Sequence, residues 1–449
     1  MNKKLTIFSL TLMTVGSVDS IRNLPAAALV GAEIFWYFGL AFFFFLLPSA
    51  VISGWFSSKS HEGIYGWVRS SLGKKTGFIA VWFQWMQNIL IYPAFFSFIA
   101  GAFLYCINPN LIENKMLLFI MINFLIWCLT WINIKELHLS NRLTVFCSIV
   151  GLLLPFILIL VIGIIWIISH PESLKLITHS HQDSWASLTA IILSFCGIEI
   201  AGVHIQDSKP GAFPKAIALS VIIIFSTMLL GSLTLALLLS PQQLNFISGI
   251  PELFRIFFTQ IQFEKLSLLV NLLIVLGCIG CANNWLIAPL KGLLFASNEL
   301  HNSSSQFSTK FLVMQACGVS FISTIFVLLP SINTSYWFMI TLATQMYLLM
   351  YGLMFASAIR LAWQEKKHFF EYIILFSFMG LIGIIISFIV TFIPPASLKY
   401  GSLVHYDSLI IVCLVFFTFL SILWKKILFH KVMDNSLPKT SLAGHVSTR

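Results

Sequence analysis

Six residues within eight positions, Gly16, Ser17, Asp19, Ser20, Arg22 and Asn23, place a glycine, an acid, a base, two serines and an amide inside an apolar run. The stretch from Met13 to Pro25 that holds them is flanked by Phe, Leu, Ile and Ala, the composition of a helix that crosses a bilayer. Ionisable side chains at membrane depth face a protein interior or a water-filled cavity, so Asp19 and Arg22 argue for a pathway through the middle of the molecule. Non-helical backbone survives at that depth only where it lines a cavity, and the N–H and C=O groups it frees can hold a ligand. Asp19 and Arg22 are three apart, so on a helix they share a face. Mutual neutralisation that fixes the start of the next half-helix, contact with a ligand and a gating role are all open.

A second interruption follows. Ser194-Phe195-Cys196-Gly197-Ile198-Glu199 puts a glycine and a carboxylate in mid-span, ahead of His204 and a loop from Gln206 to Lys215 with Pro210 and Pro214. Glu199 is a candidate proton carrier; the structural alternative is a hydrogen-bonded acid that ties its segment to a neighbour. Gln84, Gln87 and Asn88 recur on a third apolar segment, where amides line cavities or glue helices together; Gln87 and Asn88 are the preferred pair. Tyr347 and Tyr351 lie one turn apart and could close over a ligand. Lys291 fits a snorkelling role.

These groups need elements to hold them. Of the 449 residues 58% are hydrophobic and 9% charged, and the mean hydropathy is +0.93, which leaves too little polar surface for a water-soluble domain. A helical span takes about 20 apolar residues. Charged and turn-forming residues cut the chain into spans at 5–28, 34–56, 77–106, 116–134, 143–169, 186–205, 216–240, 266–298, 311–329, 335–360, 369–394 and 407–428. No charge occurs from Phe311 to Ile359, and Pro330-Ser331-Ile332-Asn333 supplies the turn there. The first 25 residues lack a cleavage pattern and are expected to stay in the mature protein.

With the N-terminus inside, the outer loops carry Lys115, Lys175, Arg255, Lys265 and Lys399, the spans carry Arg22 and Lys291, and the remaining 19 of 26 basic residues fall inside. That bias predicts both termini on the cytoplasmic side, and it accounts for the +10 charge without nucleic acid. The eight cysteines lie in or beside apolar segments, so no disulfide framework is implied. Cys278 and Cys281 have metal-like spacing but no second pair or nearby histidine, and read as two small helix residues. No metal, no cofactor and no catalytic residue is expected. Residues 61–73 fit an interfacial segment, and 241–265 an amphipathic external helix that serves as a lid or as packing.

The two glycine interruptions are 181 positions apart, each opening a set of five spans with two further spans at the end, which is the sequence pointer to an inverted-repeat transporter with a midplane site. At this point the chain resembles the amino acid/polyamine/organocation permeases, and more closely their GadC-like glutamate/GABA antiporter branch. The matching residues are Ser17 to Pro25; Gly63-Ile64-Tyr65-Gly66-Trp67-Val68 with Leu72-Gly73; Gly197-Ile198-Glu199 through Val203-His204 to Pro210 and Pro214; Asn284-Trp285 with Pro289 and Gly292; and Tyr347 with Tyr351.

The resemblance implies an all-α integral membrane protein of about twelve transmembrane helices. These would form a 5+5 inverted-repeat, LeuT-like fold with discontinuous helices 1 and 6 plus two C-terminal helices. Residues 1–169 would be the first repeat, 186–360 the second, 369–428 helices 11 and 12, and 429–449 a cytoplasmic tail. It also implies that Gly16, Ser17 and Val18 offer backbone groups to a substrate carboxylate, and that Cys196, Gly197 and Ile198 offer carbonyls to its ammonium. Asp19, Arg22, Gln87, Asn88, Asn284, Tyr347 and Tyr351 complete the expected site. The span at 143–169 has no basic residue where some proton-coupled relatives keep a lysine, so protons and sodium both stay open as coupling ions. A tail plug from about His430 also stays open, as do the amino acid carried and the oligomeric state.

The function expected is secondary active transport of amino acids across a bacterial-type inner membrane, by antiport or with protons. No ATP-binding loop points to a primary pump. A channel would conduct without counter-flow and lacks a filter-like repeat here; a membrane-embedded transferase would need a reactive cluster near an interface, and the intramembrane acids are single and at mid-depth.

Overall fold

A computed structural model describes residues 4–18, 20–135, 151, 153–169, 181–205, 208–240, 243–301, 306–366, 370–396 and 403–436. The first apolar segment is broken as its composition predicts. Helix α1, Ile7–Val18, stops short of Ser20, whose backbone is extended (φ −122°, ψ 99°). One 3-10 turn, Ile21–Asn23, leads into α2, Leu24–Ala28. Pro25 sits in the first turn of α2, where its missing N–H leaves no bond unmade.

Helix α3, Gly31–Phe56, crosses in one run with a π-helical stretch at Phe42–Leu46. The short α4, Gly63–Leu72, turns into α5, Lys74–Ile107, at Gly73, whose φ of +86° suits a residue without Cβ. Then come α6, Lys115–Lys135, and α7, Leu154–Ser169. Helix α8, His181–Phe195, ends in a turn at Gly197 (φ +108°), followed by a 3-10 turn, Ile200–His204. The second half continues with α9, Ala212–Leu238, and the short α10, Gly249–Gln260, which lies in the connector expected to hold an external helix. Next are α11, Glu264–His301; α12, Gln306–Ser323; and α13, Ile325–Leu328. Helix α14, Ile332–Glu365, starts where the Ser331 side chain accepts from the Thr334 N–H, so the turn read at Pro330 to Asn333 is where the chain reverses. The chain ends with α15, Phe370–Val390, and α16, Leu403–Ser436.

Among the described residues nine helices are long and apolar enough to cross a membrane. The most enclosed spans are Gln182–Gly202, which holds the second break, α5 and α14, whose most apolar stretches are 94%, 89% and 83% buried, against 33% for α6 and for α15. Phe124 on α6 and Ile389 on α15 face outward, as lipid contact allows. Before α1, Leu5 forms an isolated parallel bridge with Ser208, and the Lys209 N–H donates to the Leu5 carbonyl at 3.1 Å. The start of the first broken segment is thereby joined to the chain that leaves the second.

Backbones touch where Gly151 meets Gly277 of α11: a Cβ built on Gly277 would stand 2.1 Å from the Gly151 carbonyl atoms. Small residues let membrane helices approach this closely. Gly277→Ala should therefore lower the thermal unfolding midpoint of the detergent-solubilised protein, at a cost of about 1–3 kcal/mol from overpacking; an unchanged midpoint would contradict the contact.

Helix α10 is clasped to the end of α5: Tyr105 donates to Glu252, and Arg255 donates from Nη2 to Glu252 Oε1 at 2.6 Å. Burial pushes the Glu252 carboxyl up, yet the hydrogen bonds from Arg255 and Tyr105 outweigh it and hold the group below its ordinary value. A carboxyl lowered in the folded state stabilises above its unfolded value of about 4.3 and loses that contribution as pH falls through the folded value. Hydrogen exchange in α10, corrected for intrinsic rates, should stay slow at neutral pH and accelerate below about pH 4. Glu252→Gln should be fast already at neutral pH.

Candidate functional site

The two breaks face a common cavity. Val18, Ser20, Arg22 and Asn23 reach it from the first broken segment and Cys196 from the second, while Gln87, Tyr92 and Phe95 of α5, Cys278, Cys281 and Trp285 of α11, and Tyr347 of α14 complete the wall. The space left to water-sized centres is about 30 Å³, room for a water or two, so the structure is a contracted state that must widen to admit a larger guest.

Arg22 dominates the electrostatics. It is 7% exposed, and its guanidinium carbon lies 4.5 Å from the centroid of the Phe95 ring, a cation–π contact. Its Nε donates to Ser20 Oγ at 3.0 Å, and its carbonyl accepts from Tyr336 at 3.3 Å. Its Nη1 is buried without a hydrogen-bond partner among the described residues. Asp19, the partner considered from spacing, lies outside the described residues.

The groups freed by irregular backbone are met by side chains. Cys281 donates to the Gly16 carbonyl at 3.0 Å. Pro289 inside α11 has no N–H to give the Trp285 carbonyl four residues back. Asn88 Nδ2 donates to that oxygen instead, at 3.2 Å. Tyr92 donates to the Ala282 carbonyl on the same helix.

Glu199 is the second polar centre, 1% exposed. Its Oε1 accepts from Gln84 Nε2 at 2.9 Å and from the Tyr347 hydroxyl at 2.6 Å, and its other oxygen accepts from Tyr351. Tyr351 in turn accepts from the Gly197 N–H at 3.0 Å. One carboxylate thus fastens α5, α14 and the turn after α8. It borders a separate space of about 10 Å³ beside Ile64 and Tyr65 of α4, whereas its partner Tyr347 lines the central cavity, so this bond is part of the wall between the two.

The structure therefore brings together Val18, Arg22, Gln87, Cys196 and Tyr347 on one cavity, with Gly16, Gly197, Glu199 and Tyr351 behind it. Asn88 and Ile198 are buried off the lining, Asn88 being engaged with α11. The backbone of Ser17 and of Asn284 is described, their side chains are not. Sequence reasoning passed over Phe95, Tyr92, Cys278 and Cys281 as site residues, and weighed Gln84 only to prefer its neighbours. A helical stripe was the available signal: Gln84, Gln87, Ile91 and Phe95 recur at three and four residues.

The amino acid permease family model matches residues 5–419. The chain belongs to that family. An uncharacterized transporter of Legionella pneumophila is 32% identical over 450 residues, covering 94% of this chain and 97% of that protein. Two glutamate/gamma-aminobutyrate antiporters of Lactococcus lactis are more distant. The one from strain MG1363 is 23% identical over 66% of this permease and 62% of its own length, and the one from strain IL1403 is 21% identical over 92% and 88%. Among solved structures, MhsT in complex with L-phenylalanine superposes with a TM-score of 0.58 at 14% identity, covering 85% of this permease and 98% of that chain. That likeness shows the LeuT-like fold of an all-α integral membrane protein, with its first and sixth helices discontinuous.

The Asn88 bond is open to a rescue test. Asn88→Leu removes the bond from Asn88 to the Trp285 carbonyl at a cost of about 1–3 kcal/mol, lowering the thermal midpoint. Adding Pro289→Ala restores a main-chain donor at position 289 and should recover most of the loss; simple additivity would refute this role for Asn88.

Proposed function

We propose that this permease is a secondary active transporter that exchanges amino acids by alternating access in a bacterial cytoplasmic membrane, with both termini on the cytoplasmic side. The carrying observation is a set of groups around the central cavity that have no partner among the described residues: a guanidinium donor at Arg22 Nη1, and acceptors at Asn23 Oδ1 and Gln87 Oε1. Buried polar groups want partners. A zwitterion supplies both kinds, its carboxylate to Arg22 and its ammonium to the amide oxygens. Residues 1–169 and 186–360 act as the two repeats, in keeping with breaks at Ser20 and Gly197. The glutamate/gamma-aminobutyrate antiporters of Lactococcus lactis, as relatives, support glutamate/GABA-type exchange as the first to try.

Glu199 is the proposed proton carrier. As an ionised acceptor it takes bonds from Gln84, Tyr347 and Tyr351 at once; a proton makes one oxygen a donor and loosens at least one of these bonds. That loosening would free the wall between the two spaces. Sodium remains a second coupling ion to test. A transporter rather than an enzyme is the reading, because Glu199 is spent on tyrosine and amide donors and not on a nucleophile.

Purified protein in liposomes loaded with amino acid should take up labelled amino acid faster than empty liposomes; equal rates with non-saturating flux would favour a channel. Gly16→Leu should abolish uptake in protein that still inserts. Glu199→Gln should keep exchange while flattening its pH profile, and an active variant with the wild-type profile would refute proton coupling through Glu199.

A further inference from the structure

We infer that Cys278 and Cys281 form a dithiol site inside the central cavity that captures trivalent arsenicals and thereby arrests transport. The arrest, though not the capture, rests on the reading of this cavity as the transport site. Both cysteines line the cavity and are buried, at 3% and 5% exposure. They stand three residues apart on α11, one turn, with Cβ atoms about 5–6 Å apart, a separation two As–S bonds can bridge. Arg22 lines the same cavity. Among the described residues no group of three or more metal-ligating side chains occurs, so the pair suits a thiophile content with two sulfurs rather than a tetrahedral ion.

The chemistry balances without an oxidant. An organoarsenic(III) oxide gives two As–S bonds for its As=O bond; the two S–H protons leave with the oxygen as one water, and arsenic stays trivalent. The product removes the Cys281 donor from the Gly16 carbonyl at the first helix break and places a bulky group in a space of about 30 Å³. Cys106, Cys128, Cys147, Cys317 and Cys413 have no cysteine three or four residues away in sequence, nor has Cys196, which reaches the same cavity from the second break. Each would give at most a single As–S link, which a monothiol displaces.

The test uses phenylarsine oxide on the full-length protein in liposomes. One arsenical per chain should survive excess 2-mercaptoethanol, leave with 2,3-dimercaptopropanol, and map by mass spectrometry to the peptide that carries Cys278 and Cys281. Cys278→Ser and Cys281→Ser should each abolish the retained adduct, and the wild-type map stands even if a variant folds poorly. A transported amino acid at ten times its Kd should slow capture about tenfold by mass action. Release by the monothiol, or mapping to another cysteine, overturns the site. Should the retained adduct map to the pair while no amino acid exchanges, the transport reading fails and the dithiol site stands. Robust exchange with no retained adduct does the opposite: transport stands and the dithiol site falls.

Discussion

A peptide group inside a bilayer has no water to turn to, so every break in a membrane helix must be met by another part of the protein. The rest of this structure follows from two such breaks. The Gly16 carbonyl is taken by the Cys281 thiol, the Arg22 carbonyl by Tyr336, and the Gly197 N–H by Tyr351. The donors and acceptors come from α11 and α14, and α5 adds the amide that meets the Trp285 carbonyl, which Pro289 cannot serve. Helices that carry so many polar side chains cannot face lipid, which is why α5 and α14 are enclosed while α6 and α15 show apolar flanks to the outside.

The breaks themselves were legible in the sequence because glycine, acid and base are conspicuous against a background of Leu, Ile and Phe. The turn at Pro330 to Asn333 was legible for the same reason. Partners were not. Glu199 is bound by residues 115, 148 and 152 positions away, and no local pattern announces which of the many tyrosines will arrive there. Phe95 looked like any aromatic on an apolar helix until the Arg22 guanidinium was found over its ring. Asn88 and Gln87 are adjacent and chemically alike, yet a helix turns about 100° between them. One amide bonds to a carbonyl of α11 and the other lines the cavity.

The site is held shut by few interactions, and they differ in kind. Aromatic walls fill volume and are indifferent to protons; the Glu199 junction is directional and changes its bonding when its charge changes. A contracted cavity beside one charge-sensitive fastening can be stable at rest and still have a defined point of release. Arg22 works in the opposite sense, since a buried guanidinium whose Nη1 has no hydrogen-bond partner among the described residues is costly to keep so.

The parallel bridge between Leu5 and Ser208 gives this arrangement a mechanical property. It knots the lead-in of one interrupted helix to the lead-out of the other, so a pull on either is transmitted to both, and the two interruptions behave as one lever with a shared handle. The handle is built from main-chain atoms of Leu5 and Lys209 and accepts any side chain at position 209 except proline, which lacks the N–H. Other sequence drift at these positions would leave the linkage intact, whereas trimming the first few residues would cut it.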